Sequence, residues 1–371
     1  MAQPDHTVVL SFPSLSHLVN SSSSARSASH LDWVHSAAQQ TNTALLVIIR
    51  TPRDAPSPWS PAPSSTSTTT SPTSPPPTAL FLPLEQALAR IYNAATHAFL
   101  DHDDGHGPLK HVDVVVEQMR DPVSRLCVSD DSATSHWDYS RDGVDGDDDG
   151  MGKGKATAAP GPDSSAATST PTTADSNFPP TYPVVALGGT FDHLHAGHKI
   201  LLTMAASLCT SRLVVGVSDD HLLVNKKFKH LLEPIDVRMR AVRRFVELVR
   251  PSVECDAVPL QDVYGPTAND PAIEALVVSD ETRAGGDAIN TLRASRSLSR
   301  LDIFTISLVG GEEAQRQGRG AGAGAEVEVE VATKMGSTGI REWLDRRERE
   351  RAQREAEAEG ERGGAAGEAV P

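Results

Sequence analysis

The sequence has little cysteine and no long apolar run. Its three cysteines, Cys127, Cys209 and Cys255, are widely spaced and form no C-x-x-C pair. This spacing argues against a disulfide framework and against a cysteine-ligated zinc site. No apolar run approaches the roughly 20 residues that a membrane span requires, and no basic region followed by an apolar core opens the chain. We therefore expect a cytoplasmic protein with no membrane partner.

Positive charge is scarce as well. The chain has 34 Lys and Arg residues against 49 Asp and Glu residues, a formal net charge of −15. This balance argues against a nucleic-acid partner, whose phosphates attract basic surfaces. Aromatic residues make up only 4% of the 371 residues. The composition favours one well-packed domain with a smaller unit beside it.

Composition divides the chain into a small α/β region, an acidic low-complexity linker, a larger domain and a charged C-terminal helix and tail. These regions are residues 1–128, 129–180, 181–345 and 346–371. Flexible insertions rich in small or polar residues are predicted at 51–78 and 310–330. Within the linker, eight aspartates lie between Asp130 and Asp149 against one arginine, and their repulsion opposes compaction.

The larger domain has the pattern of a doubly wound α/β fold. A β-branched run at 184–187 precedes a helical apolar stripe, and a second such run follows at 212–219. Strand, helix and strand of this length predict a right-handed parallel crossover. Three more strands follow, so we predict a Rossmann-like five-stranded parallel sheet. Ligands of such sheets bind beyond the carboxyl ends of the strands.

The stretch VVALGGTFDHLHAGH, residues 184–198, carries the chemistry that the sequence indicates. An apolar strand ends in a glycine pair and a threonine, and two histidines three residues apart then open a helical pattern. Glycines let the backbone approach an anion closely, and a helix N-terminus attracts one. Both histidines can face the same group. The predicted phosphate site comprises Gly188, Gly189, Thr190, His195 and His198.

A zinc site and a dinucleotide site are the alternatives for this stretch. Asp192, His193, His195 and His198 are residue types that bind zinc. However, ligands crowded into one short turn rarely converge, and the glycines would have no role in a metal site, so we predict no metal bound by the protein alone. The Gly-x-Gly-x-x-Gly fingerprint of a dinucleotide site is also missing.

GGTFDHLHAGH resembles the signature of the HxGH-type nucleotidyltransferase superfamily, and most closely that of eukaryotic phosphopantetheine adenylyltransferases. QDVYGPTANDP, which follows the third predicted strand, and EALVVSDETRAGGDAIN, which contains the fourth, also resemble this family. KMGSTGIR, ending at Arg341, is similar to its second nucleotide-binding segment, at another helix start. The resemblance covers about residues 182–344. It implies transfer of the adenylyl group of ATP to 4′-phosphopantetheine, giving dephospho-coenzyme A and pyrophosphate.

The resemblance also implies roles for individual residues. Thr190 would orient the attacking phosphate, His198 would donate to the transition-state oxygens, and Lys226 would contact the phosphates, with Lys227 the neighbouring candidate. The residues implied to bind ATP or its phosphates are Gly188, Gly189, His195, Arg283, Ser337, Thr338 and Arg341. Mg²⁺ would be held mainly by nucleotide oxygens and water.

Two other functions are compatible with the motifs: adenylyl or cytidylyl transfer to another phosphorylated acceptor, and a catalytically silent nucleotide-binding module. No phosphate loop follows Arg341, so we expect a downstream dephospho-coenzyme A kinase to be a separate chain. The helix after Pro234 has a buried apolar face, which predicts solvent-facing arginines. These are Arg238, Arg240, Arg243, Arg244 and Arg250.

Overall fold

A computed structural model of the protein describes residues 4–13, 15, 17–18, 29–51, 81–101, 110–120, 134–138, 181–307 and 336–367. The predicted insertion at 310–330 and all but the first residue of the one at 51–78 lie outside these ranges. Most of the predicted acidic linker lies outside them too. Within the described ranges, no helix is both long and apolar enough to span a membrane.

In its described residues, the N-terminal unit contains a four-stranded parallel sheet and the two α-helices named below. In chain order its elements are β1 (His6–Ser11), α1 (Ser29–Gln40), β2 (Ala44–Arg50), α2 (Phe81–Asp101), β3 (His111–Val116) and β4 (Thr134–Asp138). The strand order is β3-β2-β1-β4, and all neighbours run parallel. Asp5 fixes the turn before β2, because its carboxylate accepts from the backbone N–H groups of Asn42 at 2.7 Å and Ala44 at 2.8 Å. The strand β4 falls within the range predicted as a linker.

The second unit is a five-stranded parallel sheet, as predicted. Its elements are β5 (Tyr182–Gly189), α3 (Ala196–Leu208), β6 (Cys209–Ser218), α4 (Ile235–Val249), β7 (Glu254–Leu260), β8 (Ala275–Ser279), α5 (Arg283–Ser295), β9 (Asp302–Ile306) and α6 (Ser337–Gly367). The charged helix predicted from residue 346 is the continuation of α6.

The strand order of the second sheet is β7-β6-β5-β8-β9. After β5 the chain adds strands on one side, and from β8 onward it adds them on the other. The carboxyl ends of β5 and β8 therefore form the switch point at which open α/β sheets bind ligands. The glycine-ended strand that the sequence indicated as a phosphate site is one side of this switch point.

The two units share a hydrophobic core. One continuous cluster contains Leu88 and Ile91 of α2 together with Met204 of α3 and Leu213 of β6. The helices α2 and α3 pack against each other. At another point of contact, the rings of Phe81 and Phe304 lie 5.6 Å apart. Burial of apolar surface at this scale is the main force that holds two units together.

Candidate active site at the carboxyl ends of the central strands

The tips of β5 and β6 form the floor of the candidate site. Gly188 pairs with Gly216 and Gly189 with Val217. The Ser218 hydroxyl then donates to the carbonyl of Gly189 at 3.2 Å. Thr190 follows directly, and the helix α3 begins six residues later. The predicted strand, glycine turn and helix start are therefore all present at the switch point.

His195 and His198 stack at the start of α3. Their ring centroids are 3.9 Å apart, and the ring of Phe191 lies 5.2 Å from that of His198. Burial, followed by the charges of Lys199 and His193, lowers the pKa of His195 to about 4. Burial, followed by the charge of His195, also holds the pKa of His198 well below its usual value. Both rings are consequently neutral near pH 7.

One nitrogen of His198 is available to a ligand. Its Nδ1 atom is buried and has no hydrogen-bond partner in the part of the chain that the structure describes. Because Nδ1 is buried and Nε2 is not among the buried atoms without a partner, Nε2 is the nitrogen that can contact a ligand. A neutral imidazole protonated at Nε2 donates one hydrogen bond there, which suits a phosphate oxygen.

Asp192 is the buried anchor of the turn between β5 and α3. Its side chain is fully buried and forms an ion pair with Arg341, whose side chain is 1% exposed. The backbone N–H of Glu233 donates to its carboxylate at 2.8 Å, and the Ser337 hydroxyl donates to its carbonyl at 2.8 Å. Asp192 thus connects the histidine turn to α6. From the sequence alone, Asp192 is a candidate only as a metal ligand.

Glu233 also accepts a hydrogen bond from the turn that contains Asp192. Its carboxylate accepts from the backbone N–H of His193 at 2.7 Å, and the His193 ring lies 2.8 Å from the carbonyl of Leu231. These contacts hold Phe191 and His193 at positive φ, 50° and 45°, a costly conformation for residues with side chains. Among the residues with described positions, no three His, Cys, Asp or Glu side chains are grouped to hold a metal ion.

Arg238 lies beneath the site rather than in solvent. The prediction of a solvent-facing arginine is wrong here, because its side chain is fully buried among acceptors left at the strand ends. It donates to the carbonyls of Glu233, Thr190 and Ser218 at 2.8, 2.9 and 2.8 Å and to the Asp220 carboxylate at 2.9 Å. The prediction is also wrong for Arg250, which is 4% exposed. No sequence pattern marked these two among the five arginines.

Ser337 and Thr338 open α6 beside this turn. The Ser337 hydroxyl is hydrogen-bonded to Asp192. The group that Ser337 can offer to a ligand at the helix start is therefore its backbone N–H. Thr338 is exposed, and its hydroxyl accepts from Arg341 at 3.2 Å. Arg341 also donates to the carbonyl of Lys227 at 3.1 Å. The arginine predicted to bind phosphate is therefore engaged by protein groups and links the turn to the lysine loop.

Two predicted phosphate contacts are free. Lys226 lies on the exposed loop after β6, and Arg283 opens α5 after β8, also exposed. Neither side chain forms a hydrogen bond or ion pair with any other residue that the structure describes. They flank the switch point from the β6 side and the β8 side. Free cations in these positions can respond to an anionic ligand.

A parallel sheet with paired histidines at a helix start over its switch point is an arrangement suited to nucleotidyl transfer. A family model described as Cytidylyltransferase-like matches residues 186–315. The phosphopantetheine adenylyltransferase of Saccharomyces cerevisiae is 47% identical over 130 residues, which are 35% of this chain and 43% of that protein. That of Methanopyrus kandleri is 45% identical over 125 residues, 34% of this chain and 78% of that protein.

This chain belongs to the phosphopantetheine adenylyltransferase family. It spans less than half the length of the yeast relative, 43%. The phosphopantetheine adenylyltransferase of Pyrobaculum aerophilum is 39% identical over 125 residues, which are 34% of this chain and 79% of that protein. The family-model match lies wholly within the second unit.

Proposed function

We propose that this protein transfers the adenylyl group of ATP to 4′-phosphopantetheine, forming dephospho-coenzyme A and pyrophosphate in coenzyme A biosynthesis. The observation that carries the proposal is the stacked pair His195 and His198 at a helix start over the switch point of the sheet. Relatives that carry this activity in their names support the choice of acceptor.

Such a transfer needs placement and charge stabilisation rather than a protein nucleophile. A phosphate oxygen of 4′-phosphopantetheine attacks the α-phosphorus of ATP, a new P–O bond forms, and the bond to the leaving pyrophosphate breaks. Negative charge spreads over the equatorial oxygens as this happens. Donors fixed in advance at those oxygens lower the barrier. In our proposal His198 is such a donor, through Nε2, and Thr190 orients the attacking phosphate.

The remaining polar groups would hold ATP. Lys226 would reach the phosphates from the loop after β6, and Arg283 would approach from the opposite side. Gly188 and Gly189 would let the nucleotide approach the backbone closely, and His195 would contact it beside His198. At α6, the backbone N–H groups of Ser337 and Thr338 would bind phosphate, because a helix N-terminus favours an anion. Arg341 would support these groups through Asp192 and Lys227.

We further propose that Mg²⁺ accompanies ATP and is held mainly by nucleotide oxygens and water. Mg²⁺ commonly keeps several waters and binds substrate phosphates, so this role does not need a protein cage of carboxylates. The donor set of the site, hydroxyl, imidazole and cationic groups, fits a phosphate chain better than a bare divalent ion. When bound, the ion would neutralise part of the phosphate charge.

The direct test incubates the full chain with ATP, Mg²⁺ and 4′-phosphopantetheine and follows pyrophosphate and dephospho-coenzyme A. We expect both products in equal amounts. Parallel reactions replace the acceptor with phosphoethanolamine and ATP with CTP. Turnover only with another acceptor or with CTP would contradict the proposed substrates. Binding of ATP without pyrophosphate release would instead indicate a silent nucleotide-binding module.

A further inference from the structure

The N-terminal unit contacts the histidine-bearing helix α3 directly. The helix α2 packs along α3, and the strand β3 makes polar contact with its first turn. That contact is made by Lys199, the residue that directly follows His198. The family-model match does not include any part of the N-terminal unit.

Lys199 is a buried cation with two partners on β3. Its side chain is 5% exposed, and Nζ lies 2.7 Å from the Asp113 carboxylate. Nζ also donates to the carbonyl of Val112 at 2.7 Å. A buried ammonium group is costly unless it is paired, so these contacts fix where the side chain can lie. The aromatic ring of Phe245, 5.9 Å from Nζ, limits it on another side.

The backbone of Lys199 belongs to the same turn as the histidines. Its N–H donates to the carbonyl of His195 at 3.0 Å, which closes the first turn of the helix. The side chain of this one residue is therefore anchored in β3 while its backbone is bonded to His195. Hydrogen bonds between Glu233 and residues 192–193 hold the preceding loop.

We propose that the N-terminal unit positions His195 and His198 through the ion pair between Asp113 and Lys199, so that Lys199 and Asp113 are positioning residues for adenylyl transfer. The proposal builds on the function proposed above. Displacement of a catalytic group by about 1 Å can cost on the order of 10² in rate. A contact one residue from His198 can control displacements of that size.

The ion pair also sets the charge behind the histidines. The Lys199 charge contributes to the lowered pKa of His195, after burial and alongside His193. Asp113 carries the opposite charge, 2.7 Å from Nζ of Lys199. Loss of Lys199 should therefore raise the pKa of His195, and loss of the Asp113 charge should lower it. General destabilisation of the N-terminal unit would not produce shifts of opposite sign.

The test uses the full chain with Lys199→Met, Asp113→Asn and the double variant Lys199→Met/Asp113→Leu. Asp5→Ala is the matched control, because it weakens the N-terminal unit without touching α3. Pyrophosphate release gives kcat and KM, NMR titration gives the histidine pKa values, and amide exchange reports on residues 196–199. We expect kcat to fall about tenfold or more in the Lys199 and Asp113 variants with KM nearly unchanged. The pKa of His195 should shift in opposite directions, and exchange at 196–199 should accelerate.

The double variant removes the problem of an unpaired buried charge. An apolar pair can restore stability, but it provides no directional anchor, so kcat should stay low while Tm recovers. In Asp5→Ala, Tm should fall while kcat, the pKa of His195 and exchange at 196–199 match the wild type. A folded double variant with wild-type kcat would overturn the proposal. If the wild type releases no pyrophosphate, the proposed function fails, and the titration and exchange results alone decide this inference.

Discussion

Replacement of Asp192 by asparagine should damage both the fold and the site. Asp192 is fully buried and Arg341 is 1% exposed, so the substitution leaves a buried guanidinium group without its counter-ion. Loss of one partner from a buried pair costs about 3–5 kcal/mol of unfolding free energy. For a protein of this size that corresponds to a decrease in Tm of roughly 10 °C.

The activity should fall as well. The Asp192 carboxylate accepts from Glu233 and pairs with Arg341. An amide would direct N–H groups at one of these donors, so the turn that carries Thr190 and His195 would shift. We expect kcat for pyrophosphate release to fall on the order of 10²-fold, the scale of a misplacement of about 1 Å.

Urea unfolding followed by circular dichroism, together with the pyrophosphate assay, measures both effects. Arg351→Met is the matched control on the same helix, because Arg351 pairs with the exposed Glu355 and surface pairs contribute little. The control should leave the midpoint and kcat unchanged. An Asp192→Asn protein with the wild-type urea midpoint would refute the argument that this pair anchors the turn.

Substitutions of three other residues, Glu85, His195 and Lys226, also have specific expected effects. Glu85 on α2 is buried, and burial, followed by the charge of Asp280, raises its pKa to about 8. At pH 7.5 the folded protein therefore keeps this carboxyl protonated while the unfolded chain ionises it, which favours unfolding. Glu85→Gln should raise the unfolding free energy at pH 7.5 by at most about 4 kcal/mol, with no gain below pH 4.5. The pKa of His195 is about 4 in the folded protein, below that of a histidine in the unfolded chain. As the pH falls, the unfolded chain therefore binds a proton at His195 before the folded protein does. The unfolding free energy should consequently fall by roughly 2 kcal/mol between pH 6.5 and 5. His195→Asn should remove that part of the pH dependence of the unfolding free energy, measured by urea titration at each pH. An unchanged dependence between pH 6.5 and 5 in this variant would contradict the prediction. Lys226→Met should lower kcat on the order of 10²-fold while Lys227→Met changes it little; equal effects would contradict the choice of Lys226.

The sequence predicted those features that depend on local pattern. The five parallel strands of the second unit follow from apolar runs that alternate with helical stripes, and the glycine turn at residues 188–190 follows from chain order alone. The structure confirms the fold class. It could be predicted because each of these signals comes from residues that are neighbours in the sequence. The strand β4, with the polar sequence TSHWD, shows the reverse case: it has no apolar run and is ordered by pairing with β1.

Contacts between distant residues could not be predicted. Asp192 and Arg341 are 149 positions apart, so no window of sequence relates them. Arg238 resembles its neighbour Arg240 in sequence, but only Arg238 faces the carbonyls at the strand ends. Lys199 forms an ion pair with Asp113 only because the N-terminal unit packs against α3. Side chains of this kind are fixed by the packing of whole elements, which periodicity does not record.

The most direct test of the proposed reaction follows the α-phosphorus of ATP. The full chain is incubated with α-³²P-labelled ATP, Mg²⁺ and 4′-phosphopantetheine, beside the His198→Ala variant. We predict that the label enters dephospho-coenzyme A with the wild type and that His198→Ala lowers this rate by roughly 10² to 10³, the cost of one oxyanion-type donor. Label that remains in ATP with the wild type, or a folded His198→Ala protein that transfers it at the wild-type rate, would contradict the account.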